Sequence, residues 1–153
     1  MPFRNKAQVS LEMMFILAII LAGIVLVSSV YYQSDTKTQL VYYIRTTATN
    51  ACAYLSTGVV INDTVHSSLS EVIRAYNYSS LACDVSGINM VQASSTINVT
   101  VYINCAQPVN SSMLSDALRE YIISRLSNIR GFSFSGGALY FRNYPLNIGV
   151  VVK

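Results

Sequence analysis

The sequence predicts an α+β protein: one long N-terminal helix, apolar in its first half and amphipathic in its second, packed on a small antiparallel-sheet head. Three observations predict it. No charged residue occurs from Met13 to Tyr32. From Leu40 to Leu55, apolar residues recur at spacings of three and four, so they line one face of a helix. Beyond Gly58, short alternating runs separated by turn residues replace the helical period.

Composition frames these observations. The 153 residues are 52% hydrophobic and only 11% charged, with Lys+Arg 10 against Asp+Glu 7. Charged residues make up about a quarter of an ordinary soluble domain, so part of this chain is built for a medium other than water. Such an apolar chain with so little net charge does not behave as a solvated coil. A formal charge of +3 without a Lys/Arg cluster supplies no phosphate footprint, so no nucleic-acid partner is expected. The length suits one head of ordinary size.

The uncharged run MMFILAIILAGIVLVSSVYY forms a helix of roughly 30 Å, the thickness of the bilayer hydrocarbon core. Arg4 and Lys6 precede it, and the positive-inside rule therefore puts residues 1 to 7 in the cytoplasm and the rest outside. Tyr31 and Tyr32 suit the outer interface. A secretory signal peptide fits less well, because the apolar run is too long and no small-x-small cleavage site closes it. Glu12 at the start of the run also counts against a plain signal or anchor, since an ionisable group at the membrane edge is costly unless paired. Ala18, Ala22 and Gly23 put small residues at helical spacing, which permits close helix approach.

The helix is expected to continue past Gln33. Leu40, Ile44, Ala48, Ala51, Cys52 and Leu55 form the second, amphipathic half, and Gly58 supplies the stop. A continuous helix from Gln8 to Leu55 would be roughly 70 Å long. The competing reading is a break near Ser34 and Asp35 followed by a separate helix.

In the head, Val59 to Ile61 reads as a short β-branched run, and Ser68-Leu69-Ser70-Glu71 as a capping box opening a helix to about Ala75 or Tyr76. Ile88 to Gln92 and Thr96 to Asn104 read as strands around an Ala93-Ser94-Ser95 turn, the second with Ile97, Val99, Val101 and Ile103 alternating. Leu114, Leu118, Tyr121, Ile122, Leu126 and Ile129 mark an amphipathic helix ended by Gly131. Phe132 to Ser135 and Ala138 to Arg142 flank Gly136-Gly137 as a hairpin, and Ile148 to Val152 reads as the last strand.

No catalytic or metal-ligating set is recognised, and neither an enzyme nor a cofactor is expected. His66 is the only histidine, so a histidine metal site or triad lacks partners, and a satisfied surface histidine is the better reading. Ser34-Asp35-Thr36-Lys37 has Ser-x-x-Lys spacing but no companion motifs. Gly136-Gly137 lies between strand-like runs and not before a helix, so it does not read as a phosphate loop. The 11 tyrosines suit adhesive surfaces, although packing in strands explains them more simply.

Four sequons fall in the segment expected outside: Asn62-Asp63-Thr64, Asn77-Tyr78-Ser79, Asn98-Val99-Thr100 and Asn110-Ser111-Ser112. Asn98, inside an expected strand, is the weakest acceptor of the four. Three cysteines, Cys52, Cys83 and Cys105, allow one bridge with one left over. Cys83 to Cys105 is the favoured pairing, because Cys52 lies on the helix stripe and can pack as a small apolar residue.

The segment Lys6-Ala7-Gln8-Val9-Ser10-Leu11-Glu12, running directly into the apolar helix, resembles the archaeal class III signal peptide of type IV pilin-like proteins. That pattern is Gln-x-Ser-x-Glu-x-x-x-Leu after a short basic leader. Gln8, Ser10 and Glu12 match, and Ile16 stands where the pattern has Leu. The resemblance covers about the first thirty residues, and residues 33 to 153 carry none of their own.

The resemblance implies cleavage by a prepilin peptidase between Ala7 and Gln8. It implies a leader of residues 1–7, a transmembrane and stalk helix over 8–57, and an extracellular α+β head over 58–153. Cleavage removes Arg4 and Lys6, which hold the helix end at the cytoplasmic face, and creates an amine four residues before Glu12. In the resembled family the apolar helices of identical or related subunits leave the membrane and bundle into a filament core, where Glu12 would offset a neighbour's N-terminal amine. Loss of one partner from such a buried pair costs about 3 to 5 kcal/mol, whereas the intact pair adds little. Glu12 would thus set register more than strength. Without the family, Glu12 reads as a carboxylate favoured by the helix N-terminus, worth about 0.3 to 1 kcal/mol.

The function expected is therefore structural: a pilin of a type IV pilus-like surface filament used for adhesion. The alternative is a membrane-retained minor pilin-like or single-pass surface binding protein that does not form the filament body. A membrane-anchored enzyme is a third class that only the absence of recognisable chemistry disfavours.

Overall fold

The structure is a computed structural model that describes residues 3–93 and 95–153; within the first helix it describes the side chains of 11–28 and 36–57. Expectations for the side chains of Arg4, Lys6, Tyr31, Tyr32 and Ser34, and for Ser94 in the first hairpin turn, lie outside the described residues. The chain is α+β. Its elements in order are α1 (Phe3–Thr57), α2 (Ser67–Ala75), β1 (Cys83–Ala93), β2 (Thr96–Cys105), α3 (Ser111–Ser127), β3 (Phe132–Ser135), β4 (Ala138–Phe141) and β5 (Tyr144–Val152).

The chain divides into two compact units between Gln39 and Leu40. Helix α1 is unbroken from Phe3 to Thr57, with no interruption at Ser34 and Asp35. Neither residue breaks a helix on propensity alone, and no proline or glycine occurs between Gly23 and Gly58. In the first unit, no residue of Leu11–Ser28 is buried.

The second unit holds the core. The stripe expected from the spacing is the buried face of α1: Leu40, Ile44, Ala48, Ala51, Cys52 and Leu55 join one apolar cluster with residues of α2, α3 and the sheet. Helix α1 ends at Gly58, whose φ of +63° suits glycine, and where a Cβ would lie 2.6 Å from the Tyr78 carbonyl oxygen.

The sheet has five strands in the order β1-β2-β5-β4-β3 and is mixed, which corrects the expected all-antiparallel sheet. Strand β2 pairs antiparallel with β1 but parallel with β5, from Ile97 opposite Leu146 to Ile103 opposite Val152. The physical reason is the connection. Parallel neighbours need a crossover, and here α3 with the β3-β4 hairpin carries the chain from the end of β2 round to β5. The tight turns at Gly136-Gly137 and at Arg142-Asn143, all at positive φ, set β4 antiparallel to β3 and to β5.

Several element boundaries also differ from the sequence reading. Val59 to Ile61 forms no strand: the Ile61 amide donates to the Tyr54 hydroxyl at 2.8 Å, and Val59 donates to the Thr57 hydroxyl at 3.2 Å. The capping box is not used either. Helix α2 starts at Ser67 with His66 at the N-cap, and the Ser68 hydroxyl donates instead to the Ala117 carbonyl of α3. Strand β1 begins at Cys83, five residues before the expected Ile88, because pairing with β2 carries it past Asp84 and Ser86. A register shift between Val85 and Gly87 accommodates those polar residues. Strand β5 begins at Tyr144, and α3 ends at Ser127, leaving Ile129 packed on the core from the loop beyond.

Candidate functional site

The first candidate lies in the N-terminal half of α1. Leu11 through Val27 presents apolar side chains around the whole helix: Phe15 is 67% exposed, Ile20 55% and Leu26 69%. A helix apolar on every face has no polar side to give to water, and a patch of this extent marks a membrane or partner surface. Among the described residues this is one helix long and apolar enough to cross a membrane. Glu12 sits at its start, exposed, as the sole Asp, Glu, Lys or Arg from Leu11 to Ser34. Gly23 has nothing within 4 Å of where a Cβ would stand, so a second helix can approach closely there. Ala7, Gln8 and Ser10 lie on the helical backbone of α1, and their side chains lie outside the described residues.

The second candidate is the cysteine pair. Cys83 and Cys105 are bonded, with Cα atoms 4.0 Å apart, and face each other at the open end of the β1-β2 hairpin. Cys52 is free and buried on α1. Burial, with a smaller push from the charge of Asp84, raises its thiol to about 11. The thiolate needed for exchange with the bridge is therefore scarce at neutral pH.

The third is His66. It is half-buried and well partnered, so the surface description of it needs correcting. Its Nδ1 lies 2.7 Å from Asp63 Oδ2, and its backbone amide donates to Asp63 Oδ1 at 2.7 Å. Its ring lies between Tyr54 of α1, at 4.6 Å between centroids, and Tyr121 of α3, at 5.4 Å. The hydrogen bonds from the His66 amide and ring hold the Asp63 carboxyl below its ordinary value. Burial raises the Tyr121 phenol. The Tyr54 hydroxyl bonds Ser70 Oγ at 2.9 Å and accepts from Ile61. This cluster pins the loop after α1 to all three helices, a structural task that uses every polar atom named. Sequence reasoning missed Tyr54 and Tyr121 as partners of His66, because residues 12 and 55 positions away leave no local signal.

The four sequon asparagines are all exposed. Asn62 lies in the loop before α2, and Asn77 in a turn at φ +52°. Asn98 points to the outer face of β2, between buried Ile97 and Val99. Asn110 caps α3, its Oδ1 accepting from the Met113 amide at 3.3 Å and the Ser112 hydroxyl at 2.8 Å. The Nδ2 atom that a glycan would take is not part of that cap. Among the described residues, no group of three or more His, Cys, Asp or Glu side chains could hold a metal ion.

Comparison of the chain with protein-family models, with curated proteins and with solved structures finds no match.

Proposed function

We propose that this chain is a structural subunit of a type IV pilus-like surface filament of the archaeal kind. On this reading a prepilin peptidase cuts it between Ala7 and Gln8, and it assembles with identical or related subunits through α1. The membrane holds it before assembly, with the C-terminal unit outside. One observation carries the reading. The motif Gln8-x-Ser10-x-Glu12 opens a helix whose residues Leu11–Ser28 are all unburied and whose later stripe, Leu40 to Leu55, is buried in the head core. A single helix thus has one half committed to its own head and one half left for membrane or neighbours.

The Cys83–Cys105 bridge fits an extracellular head, because disulfides persist in oxidising compartments. The neutral, Ser-, Thr- and Asn-rich surface fits exposure at the cell surface. Adhesion is the task this reading gives the filament.

The test has two parts. Mass spectrometry of the surface form gives an N-terminus at Gln8; an intact Met1, or cleavage beyond Tyr32, overturns the reading. Sheared filaments contain the chain as a main component. A chain abundant in membranes and missing from filaments supports the alternative, a membrane-retained minor pilin-like or single-pass surface binding protein.

A further inference from the structure

Charge in the head is segregated. From Val85 to Ser115 the sequence has no Asp, Glu, Lys or Arg, and from Asn143 to Val152 there is again none. These two stretches supply nearly all of β1, β2 and β5, which are neighbours in the sheet. The inner face of this sheet is apolar and buried, with Ile97, Val99, Val101 and Ile103 at most 5% exposed. Its outer face turns the neutral side chains of Asn89, Asn98 and Asn147 to solvent.

The register arranges that face. Asn98 at the centre lies opposite Asn147 on β5 and opposite Val91 on β1. Thr100 lies between Asn89 and Gly149, and Tyr102 between Gly87 and Val151. The Tyr102 ring leans toward Gly87, where a Cβ would come within 3.9 Å of its Cδ2. Gly87 itself brings no side chain over the ring. The charges nearest this face sit together at one end, where Asp84 stands opposite Asn104 in the register and the Lys153 ammonium lies over the Tyr102 ring, 5.8 Å from its centroid.

Such a face selects its partner by what it lacks. With Lys153 as the cation at its end, a nucleic acid, an anionic lipid surface or a strongly charged protein gains little Coulomb attraction across it. A second copy of the chain finds little apolar area to bury, since Val91 and Val151 are its only exposed large apolar side chains. A neutral sugar polymer fits on both counts. Each sugar hydroxyl donates and accepts, as does each asparagine amide. The apolar C–H face of a pyranose packs on an aromatic ring that keeps its own hydroxyl for water. A face that runs across three neighbouring strands suits an extended chain more than a small ligand.

We propose that the outer face of β1, β2 and β5 binds neutral polysaccharide, with Tyr102 as the stacking platform and Asn89, Asn98 and Asn147 as its hydrogen-bonding contacts. This goes beyond the filament reading and does not depend on it, because the face is complete in one subunit.

The test uses the full chain in detergent micelles, run by affinity electrophoresis through gels containing mannan, dextran or hydroxyethyl cellulose, with alginate as the anionic comparison. At least one neutral polymer retards the chain, and added salt leaves the retardation unchanged. Tyr102→Ala weakens retention about tenfold, while Tyr102→Phe retains it. Asn147→Asp, at an exposed position, also weakens retention and leaves the unfolding midpoint unchanged. No retardation in any of the three neutral gels, or equal retention by Tyr102→Ala and Asn147→Asp, overturns the proposal. So does retention by alginate alone that salt abolishes. Disulfide-linked dimers formed through Asn147→Cys would assign the face to a second copy, and a glycan found on Asn98 by glycopeptide mass spectrometry would assign it to the chain's own modification; either result overturns the proposal. Because the subunit is measured in micelles, failure to bind leaves the filament reading untouched, and failure to assemble leaves the binding result standing.

Discussion

Breaking the Cys83–Cys105 bridge has a calculable effect. The cysteines are 22 positions apart in sequence, so the bond closes a loop of that length in the unfolded chain. Loop-closure entropy for this length corresponds to about 3 kcal/mol at 25 °C. The bridge sits at the open end of the hairpin, opposite the turn that joins Ala93 to Thr96, so it holds the end most prone to fraying. With a urea slope of about 1.5 kcal/mol/M, the midpoint of the double variant Cys83→Ala, Cys105→Ala falls by about 2 M. The chain has no tryptophan, and near-ultraviolet circular dichroism of its 11 tyrosines in detergent follows the transition. Dithiothreitol lowers the wild-type midpoint by a similar amount and leaves the double variant unchanged. Cys52→Ala keeps the full response to reductant, because Cys52 is outside the bridge. A shift under about 0.5 M on reduction would refute the entropic argument. Loss of the response in Cys52→Ala would refute the pairing itself.

Other outcomes follow from the same structure. Leu118→Ala removes a side chain that is 0% exposed between α3 and the sheet, and costs about 2 to 5 kcal/mol in the same urea assay; a loss below about 1 kcal/mol would show that the core collapses around the gap. Asp63 has its folded pKa held below the unfolded value of 3.8 by bonds from His66. Its contribution is therefore fully present above that value and is lost as pH falls through the folded one. The wild-type midpoint should approach that of Asp63→Asn as pH drops from about 5 to about 2, and two parallel curves would remove the role given to this carboxylate. Glu12→Gln should be cut at Gln8 as well as the wild type yet be depleted from sheared filaments by immunoblot, and normal incorporation would show that the carboxylate is not used in assembly.

Much of the head was legible because its signals are local. The α1 stripe, the alternation in β2 and the Gly136-Gly137 turn each depend on residues a few positions apart, and a period of 3.6 or 2 survives in sequence. The capping box at Ser68 and the strand at Val59 misled for the opposite reason. Tyr54 accepts from the Ile61 amide, Asp63 accepts from the His66 amide, and the Ser68 hydroxyl turns to the Ala117 carbonyl; no local pattern announces these partners. Strand β1 was read short because Asp84, Ser86 and Gly87 lower strand propensity, while the ladder with β2 overrides propensity once the partner is present.

By itself, the sequence determined that the chain has an apolar N-terminal helix, that the helix continues with one buried face, and that an α+β head follows. Each depends on composition or spacing within one segment. Only the tertiary structure decided that β5 lies parallel beside β2, that the His66 ring packs against Tyr54 and Tyr121, and that the uncharged stretches meet as one open sheet face. Those facts depend on where a crossover returns the chain, and strand order is a property of packing that no single segment encodes.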